Sequence, residues 1–214
     1  MAVKNYISNK DETVRMFEND LLEALSHVHW TVPLWLYIPV VLAFVYRTFF
    51  VFHLSFGIFI LYFAVGIAVW TLTEYSLHRF IFHYPAKSKI GKKLHFIFHG
   101  VHHDYPNDTK RLVMPPSVSI PLAIIFYILF FNIFGVELVS PFFAGFLTGY
   151  IFYDTTHYAV HHFSIKNKFW LAIKKHHMLH HYKHADKGFG VSQPAWDYIL
   201  GTTFPDRKRK NSSE

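Results

Sequence analysis

The chain has 214 residues, of which 52% are hydrophobic and 20% aromatic, and its mean hydropathy is +0.19. This composition disfavours an ordinary soluble domain and indicates a protein whose solvent is lipid. Because there is no cysteine, disulfides and cysteine-ligated iron–sulfur clusters are excluded, and the net charge of +7, with no zinc-finger or RNA-binding motif, fits anionic lipid headgroups better than nucleic acid.

The first predicted element is an amphipathic helix over residues 9–29. Val14, Phe17, Leu21 and Leu25 recur at a spacing of three to four residues, with charged residues between them. Such a helix either lies on the membrane surface or packs against the polar part of the fold.

Two long apolar zones follow, and each is about twice the length needed to cross a hydrocarbon core of about 30 Å. They predict four membrane-spanning helices arranged as two hairpins, over residues 34–52, 54–73, 118–134 and 138–155. The turns fall near His53 and in residues 132–137. A soluble bundle of buried helices is the alternative, but it would leave too little polar surface to cover four such helices.

The basic residues of the polar segments predict how the hairpins are oriented in the membrane. Lysines and arginines lie before the first span, between the second and third, and after the fourth, and only Arg47 lies near a hairpin turn. Because basic residues gather on the cytosolic side, both hairpins are predicted to enter from the cytosol and return to it. Residues 77–117 and 157–204 then form a cytosolic helical cap and residues 205–214 a basic tail, and residues 1–214 make one all-α domain.

Histidine is concentrated in this predicted cap. Of 17 histidines in the chain, all but His27, His29 and His53 fall in four short clusters, and these three are interpreted as surface or interfacial residues. The clusters are HRFIFH (78–83), HFIFHGVHH (95–103), HYAVHH (157–162) and HHMLHHYKH (176–184). Each cluster follows a predicted span or lies in the adjoining cap.

The spacing within the clusters is typical of metal ligands on helices. Residues three and four apart share one helix face, about 5–6 Å apart at Cβ, and the clusters contain H-x-x-H-H twice as well as an i, i+4 pair at His157 and His161. His78 and His83 are five apart, which suits a helix end that loosens. About ten imidazoles exceed what one ion needs and predict two. Spacing alone leaves iron, zinc, copper and nickel open, but the absence of Glu-x-x-His pairs excludes the carboxylate-bridged di-iron bundle.

Other polar residues near the clusters are candidates for groups that orient the rings. For the acids, a ring-orienting role and an ordinary capping or surface role are equally open. The four remaining cluster histidines are outer-shell candidates outside the ligand set. The acids are Glu74, Asp104 and Asp154, and the histidines are His95, His162, His176 and His184.

The motifs together resemble the fatty acid hydroxylase and sterol desaturase superfamily, and within it most closely the fatty acid 2-hydroxylases. The resemblance rests on four histidine motifs that follow membrane hairpins and on three longer stretches. These are EYSLHRFIFH (74–83), HGVHHDYPNDTKRLVMPP (99–116) and HHMLHHYKHADKGFGVSQPAWDYILGTT (176–203). It covers most of the chain, from about residue 15 to residue 204.

The resemblance implies a site and a reaction. The implied metal ligands are His78, His83, His99, His102, His103, His157, His161, His177, His180 and His181. They would hold two iron ions, with zinc as a substitute in purified protein, and the reaction would use dioxygen to hydroxylate carbon 2 of a free fatty acid or a ceramide acyl chain. Because the chain leaves no room for a cytochrome b5 domain, a separate electron donor of the cytochrome b5 or ferredoxin type is expected. The membrane would be the endoplasmic reticulum in a eukaryote or the inner membrane in a bacterium.

Two kinds of alternative remain. Within the superfamily they are sterol methyl oxidation, carotenoid ring hydroxylation and acyl desaturation. A different class is a membrane metal transporter or store, which is disfavoured because transporters place ionisable groups inside their spans. Residues 34–73 contain only Arg47 and His53 as lysine, arginine or histidine, both near the turn, and residues 118–155 contain none.

Overall fold

The computed structural model describes residues 5–205, and this part of the chain contains helices and no β-strand. The predicted basic tail, residues 205–214, lies outside the described residues except for its first position. The α-helices are α1 (Asp20–Leu25), α2 (Val32–Tyr46), α3 (Phe56–Ser76), α4 (Lys89–His95), α5 (Val101–Asp104), α6 (Pro116–His162), α7 (Lys168–Tyr182) and α8 (Ala195–Ile199). Three π-helical segments, Arg47–Val51, Leu77–Phe82 and Phe96–Gly100, directly continue α2, α3 and α4.

Three helical stretches are long and apolar enough to cross a membrane: Val32–Val51, Phe56–Phe82 and Pro116–His162. The first two match the predicted spans 34–52 and 54–73, although the second runs on into the first histidine motif. They are joined by a short turn containing His53, whose φ of 49° lies in the left-handed region. The predicted turn near His53 is therefore confirmed.

The third stretch, α6, is bent into two arms. Gly135 interrupts it with φ 72° and ψ 179°, a conformation that glycine adopts readily. The rings of Phe126 and Phe146, on opposite sides of Gly135, have centroids 5.1 Å apart, whereas twenty residues of straight helix would separate them by about 30 Å. The chain therefore reverses at Gly135, within the predicted turn at 132–137. The number of bilayer crossings stays a prediction.

Glycines hold the second hairpin tightly against α3. A Cβ on Gly66 would lie 2.1 Å from the carbonyl oxygen of Phe142, and a Cβ on Gly145 would lie 2.0 Å from that of Phe63. Small residues of this kind let apolar helices approach until their backbones touch, which replaces the hydrophobic driving force that is missing inside lipid. The contact fixes α3 and the second arm of α6 side by side.

Both hairpin turns lie at one end of the helices. Near the turns, the ring of Tyr62 packs 5.8 Å from that of Phe134. Toward the other end, the hydroxyl of Tyr37 in α2 donates to Ser119 Oγ in α6 at 2.9 Å. The C-terminal ends of α3 and α6, which carry histidine motifs, therefore lie together, away from the turns.

The predicted amphipathic helix over residues 9–29 is wrong for most of its length, since only Asp20–Leu25 is helical. Upstream of it, Thr13 Oγ1 donates to Asp108 at 2.8 Å and the Asp11 carboxylate accepts from Thr109 at 3.0 Å. These contacts join the segment to residues nearly a hundred positions further along the chain. The apolar residues with helical spacing therefore belong to a segment that is largely non-helical and lies along the 104–111 loop.

Candidate metal centre

Ten histidine rings meet where the C-terminal ends of α3 and α6 approach α4, α5 and α7. They form two groups of five, and within each group one ring nitrogen per residue lies within 4.8 Å of the others. The first group is His78, His83, His99, His103 and His180, and the second is His102, His157, His161, His177 and His181. These ten residues are the same ten that the family resemblance implied, and their role as ligands stays a prediction.

Each H-x-x-H-H motif contributes to both groups. In the first motif His99 and His103, four residues apart, face the first group, while His102 faces the second. In α7 the assignment is reversed, because His180 faces the first group and the i, i+4 pair His177 and His181 faces the second. Helical spacing places i and i+4 on one face and i+3 to its side. The two motifs therefore tie the groups together.

A π-helix explains the five-residue spacing of His78 and His83. The His83 backbone N–H donates to the His78 carbonyl at 3.1 Å, so residues five apart lie one turn apart. The Nε2 atoms of the two rings are 3.2 Å apart. The predicted loosening of this helix end is confirmed.

The nitrogen spacing fits metal coordination in both groups. In the first group, His78 Nε2 lies 3.0 Å from His99 Nε2, and in the second, His157 Nε2 lies 3.0 Å from His102 Nε2. Two imidazole nitrogens each about 2.1 Å from one ion, at a right angle, are about 3.0 Å apart. Neutral imidazoles can bind iron, zinc, copper and nickel. The donor set therefore fits one ion per group.

Burial favours the neutral form of these rings, which has a lone pair that can bind a metal. It lowers the pKa of His180 to about 4 and, with repulsion from neighbouring rings, that of His83 to about 3. The same two causes hold the pKa values of further rings well below their ordinary range: His99, His102, His103, His177 and His181. These rings are neutral at pH 7, which is the form that binds a metal.

Backbone carbonyls fix two rings of the first group. His78 Nδ1 lies 2.6 Å from the Phe189 carbonyl oxygen, and His180 Nδ1 lies 2.7 Å from that of Lys187. Since a carbonyl can only accept, each Nδ1 carries the hydrogen and each Nε2 presents its lone pair to the group. The loop 187–192 therefore sets the tautomer and direction of both rings.

Asp197 in α8 holds this loop, and the sequence interpretation missed it. Its fully buried carboxylate accepts from the backbone N–H groups of Phe189 at 2.9 Å and Gly190 at 2.8 Å and from Thr202 Oγ1 at 2.7 Å. Burial would raise its pKa, but hydrogen bonds from His176, Thr202 and the loop lower it overall. The available signal was an acid inside the apolar stretch AWDYIL.

The three acids for which a ring-orienting role was left open show no direct contact with the ten rings among the described residues. Glu74 accepts from the backbone N–H groups of Val191 and Ser192, both at 2.8 Å, and so anchors the same loop from α3. Asp154 accepts from the Tyr150 hydroxyl at 3.0 Å. Asp104 is partly exposed, and burial raises its pKa. Of the three acids, Glu74 is the one that contacts the loop holding His78 and His180.

The four outer-shell candidate histidines lie around the two groups. His176 Nε2 lies 3.1 Å from Asp197, which links it to the loop. The ring of His162 packs against Tyr158 with centroids 4.5 Å apart. His184 packs against Phe204, and His95 lies beside Gly100. Their outer-shell role stays a prediction.

An apolar cavity of about 570 Å³ reaches the histidine groups. Three rings of the two groups, His99, His102 and His157, form part of its wall. Ile81 and Ile125 also line it and are 55% and 62% exposed on the outer face of the apolar helices. The cavity therefore joins the histidine centre to the exposed outer face of the apolar helices, and its volume lies within the range of about 300–1,000 Å³ for small-molecule sites.

Fold and site together define an all-helical protein of the membrane type, with a cluster of buried histidines that can hold metal at one end of its apolar helices. A family model described as fatty acid hydroxylase matches residues 63–202. The chain belongs to the fatty acid hydroxylase family.

Individual relatives agree with this membership. The chain is 37% identical over 214 residues to "Fatty acid 2-hydroxylase" of Rattus norvegicus, covering 90% of this chain and 57% of the relative. It is 38% identical over 193 residues to "Dihydroceramide fatty acyl 2-hydroxylase FAH2" of Arabidopsis thaliana, covering 89% and 80%. A solved structure of "Full length scs7p (only hydroxylase domain visible)" superposes with a TM-score of 0.82 at 38% identity, covering 88% of this chain and 71% of that one. The chain thus spans little more than half of the rat relative and most of the plant one.

Proposed function

We propose that this protein is a membrane monooxygenase that hydroxylates carbon 2 of a fatty-acyl chain. The cavity carries the proposal, because one apolar space touches His99, His102 and His157 and opens between side chains that face lipid. The names of the rat and plant relatives describe 2-hydroxylation of fatty acids and of dihydroceramide acyl groups, which supports the same reaction here.

The ten histidines are proposed to hold two iron ions, one in each group of five. When bound, the irons would supply the activation of dioxygen and the removal of hydrogen from carbon. Nitrogen spacings near 3.0 Å and neutral, buried rings support this assignment. Zinc is expected to occupy the same nitrogens when it is supplied in excess.

The protein's own contribution is to bind, orient and exclude water. Leu77, Leu122 and Ile125 offer an apolar wall to the acyl chain, and burial of the chain there would be favourable by about 25 cal/mol for each Å² removed from water. The loop 187–192 holds His78 and His180 in one orientation. Carbon 2 lies next to the polar head of the lipid, so a centre at the end of the spans suits it better than a mid-chain carbon.

The membrane arrangement is also proposed. Two hairpins would make four crossings, with one cap on the cytosolic side and residues 1–214 acting as a single domain. Lysines and arginines cluster in the polar segments that carry the histidine motifs, which supports this orientation. A separate donor of the cytochrome b5 or ferredoxin type would bring electrons to the cap, in the endoplasmic reticulum of a eukaryote or the inner membrane of a bacterium.

The test is to express the chain with iron and a reductase in cells lacking 2-hydroxy lipids and to locate the new hydroxyl by mass spectrometry. We expect hydroxylation at carbon 2, and none in a His161→Ala variant. A hydroxyl at another carbon, a double bond, or unchanged lipids in iron-loaded membranes would refute the proposal.

A further inference from the structure

We propose that Arg111 binds the carbonyl oxygen of the substrate's acyl group and that its partner Glu23 selects a neutral carbonyl over a free carboxylate. This inference rests on the proposed function and names its substrate class: an acyl amide or ester. Arg111 lies in the loop before α6, outside both histidine groups, and lines the cavity that His99, His102 and His157 also line.

The guanidinium of Arg111 has N–H donors that lack an acceptor. Its side chain is 2% exposed, and its Nη2 donates to the Glu23 carboxylate and to His27 Nε2, the latter at 2.8 Å. Its Nε and Nη1 are buried and meet no acceptor among the described residues. Burying N–H donors without acceptors is costly, so a guanidinium with two unpaired nitrogens calls for an acceptor.

The charge around Arg111 is already balanced. Because a guanidinium can only donate, its contact with His27 Nε2 at 2.8 Å leaves Glu23 as the carboxylate that faces its charge. Burial would raise the pKa of Glu23, but the backbone N–H groups of Phe17 and Met16 and the charge of Arg111 lower it overall. Glu23 is therefore ionised, and the Arg111–Glu23 pair has no net charge.

A balanced pair discriminates between acyl groups. A fatty-acid carboxylate would bring a second negative charge beside Glu23 with a single guanidinium to share, and an uncompensated buried charge is costly. The carbonyl oxygen of an amide or ester accepts the free N–H groups without adding charge. The site therefore suits an acyl chain that is already attached to a larger lipid.

Holding the carbonyl also decides which carbon reacts. Carbon 2 is bonded directly to the carbonyl carbon, so an oxygen bound at Arg111 limits carbon 2 to a short arc inside the cavity. Fixing a substrate atom next to the reacting one lowers the barrier through orientation. Arg111 acts in this account as a positioning residue.

Access to Arg111 requires one wall of the cavity to shift, because its free nitrogens are covered. Residues 16–26 form this wall, through Met16, Phe17, Leu22 and Leu25. Helix α1 within it is six residues long and has no buried residue. We expect the lipid head to enter on this side.

The experiment compares Arg111→Gln, Glu23→Gln and the control Arg15→Gln in the full-length, iron-loaded protein. Arg15 lies on the same segment, is exposed, and pairs with Asp20. The substrates are an N-acyl sphingoid base, a monoacylglycerol and a free fatty acid with the same acyl chain. Both kcat and KM are measured for each, together with the position of the hydroxyl.

Arg111→Gln should raise KM for the amide and the ester roughly ten- to hundredfold and spread hydroxylation beyond carbon 2. Glu23→Gln should raise the kcat/KM of the free acid relative to the amide about tenfold, since the guanidinium charge is no longer balanced. If Arg111→Gln does not fold, the selectivity of Glu23→Gln decides alone. Arg15→Gln should change neither value.

An equal loss on all three substrates in both variants would mean that the pair only anchors the N-terminal segment, and would overturn the inference. So would an unchanged acid-to-amide ratio in Glu23→Gln. Failure of the wild-type protein to hydroxylate any of the substrates would instead refute the proposed function.

Discussion

Replacing Asp197 by asparagine tests how the first histidine group is held. The carboxylate is fully buried, and four donors point at it: the N–H groups of Phe189 and Gly190, Thr202 Oγ1, and His176 Nε2. Asparagine has nearly the same shape, so the substitution leaves no cavity. It changes charge and hydrogen bonding alone.

The size of the effect follows from these contacts. If the asparagine oxygen keeps Phe189 and Thr202, its NH₂ group faces the Gly190 N–H and His176 Nε2. The Gly190 N–H loses its acceptor at a cost of about 1–3 kcal/mol, whereas the His176 ring can change tautomer and accept from the NH₂ group. The two bonds that remain lose the benefit of the charge, about 1 kcal/mol each. The total is about 3–5 kcal/mol, or a fall of about 6–20 °C in melting temperature for a chain of this size.

Asp197→Asn should also weaken metal binding in one group only. The loop it releases orients His78 and His180 through the carbonyls of Phe189 and Lys187. Loss of such an outer contact typically lowers metal affinity 10–100-fold. Elemental analysis after dialysis against increasing chelator should show one ion leaving early and the other leaving as in the wild type.

The control is Asp186→Asn, which removes an exposed carboxylate near the same loop and should change neither the melting temperature nor the metal content. If Asp197→Asn matched this control, or if both ions left together, the proposed link from Asp197 through the loop to the first group would be wrong.

Three further predictions concern packing, metal count and pH. Gly145→Ala should lower the melting temperature in detergent far more than Gly57→Ala. The added Cβ would lie 2.0 Å from the Phe63 carbonyl oxygen at the first position, but 4.0 Å from Ser55 Oγ at the second. Equal melting temperatures for the two variants would contradict the helix contact. His181→Ala should reduce the metal content from two ions per chain to about one by elemental analysis, and retention of both would exclude it as a ligand. In the metal-free protein, circular-dichroism melting should show stability falling as the pH drops from about 6.5 towards 4. The reason is that histidines of the unfolded chain take up protons near pH 6.5, whereas in the folded protein the pKa of His180 is about 4 and that of His83 about 3. A pH-independent melting temperature would contradict this.

The long apolar helices and the histidine pairs were predictable because each follows from local spacing. Apolar runs of membrane length predicted the hairpins, and both turns lie where the sequence placed them, at His53 and Gly135. The i, i+4 pairs came directly from helical geometry. The five-residue spacing of His78 and His83 correctly indicated a loosened helix end, which is a π-helix.

Features that depend on distant parts of the chain were not predictable. The division of each H-x-x-H-H motif between two groups depends on how α5 and α7 face each other. The loop that orients His78 is held by Glu74 and Asp197, more than a hundred residues apart in sequence. The apolar spacing in residues 9–29 predicted a long helix, but contacts with the 104–111 loop keep its first half non-helical.

The central claim is that two groups of five imidazoles each hold one metal ion at the end of the apolar helices. X-ray absorption spectroscopy of the purified, iron-loaded protein, with the iron counted on the same sample, tests it directly. We expect two ions per chain, each surrounded by nitrogen atoms at about 2.1 Å with the multiple-scattering pattern of imidazole. Fewer than one ion per chain, or iron surrounded by oxygen without imidazole, would contradict the account.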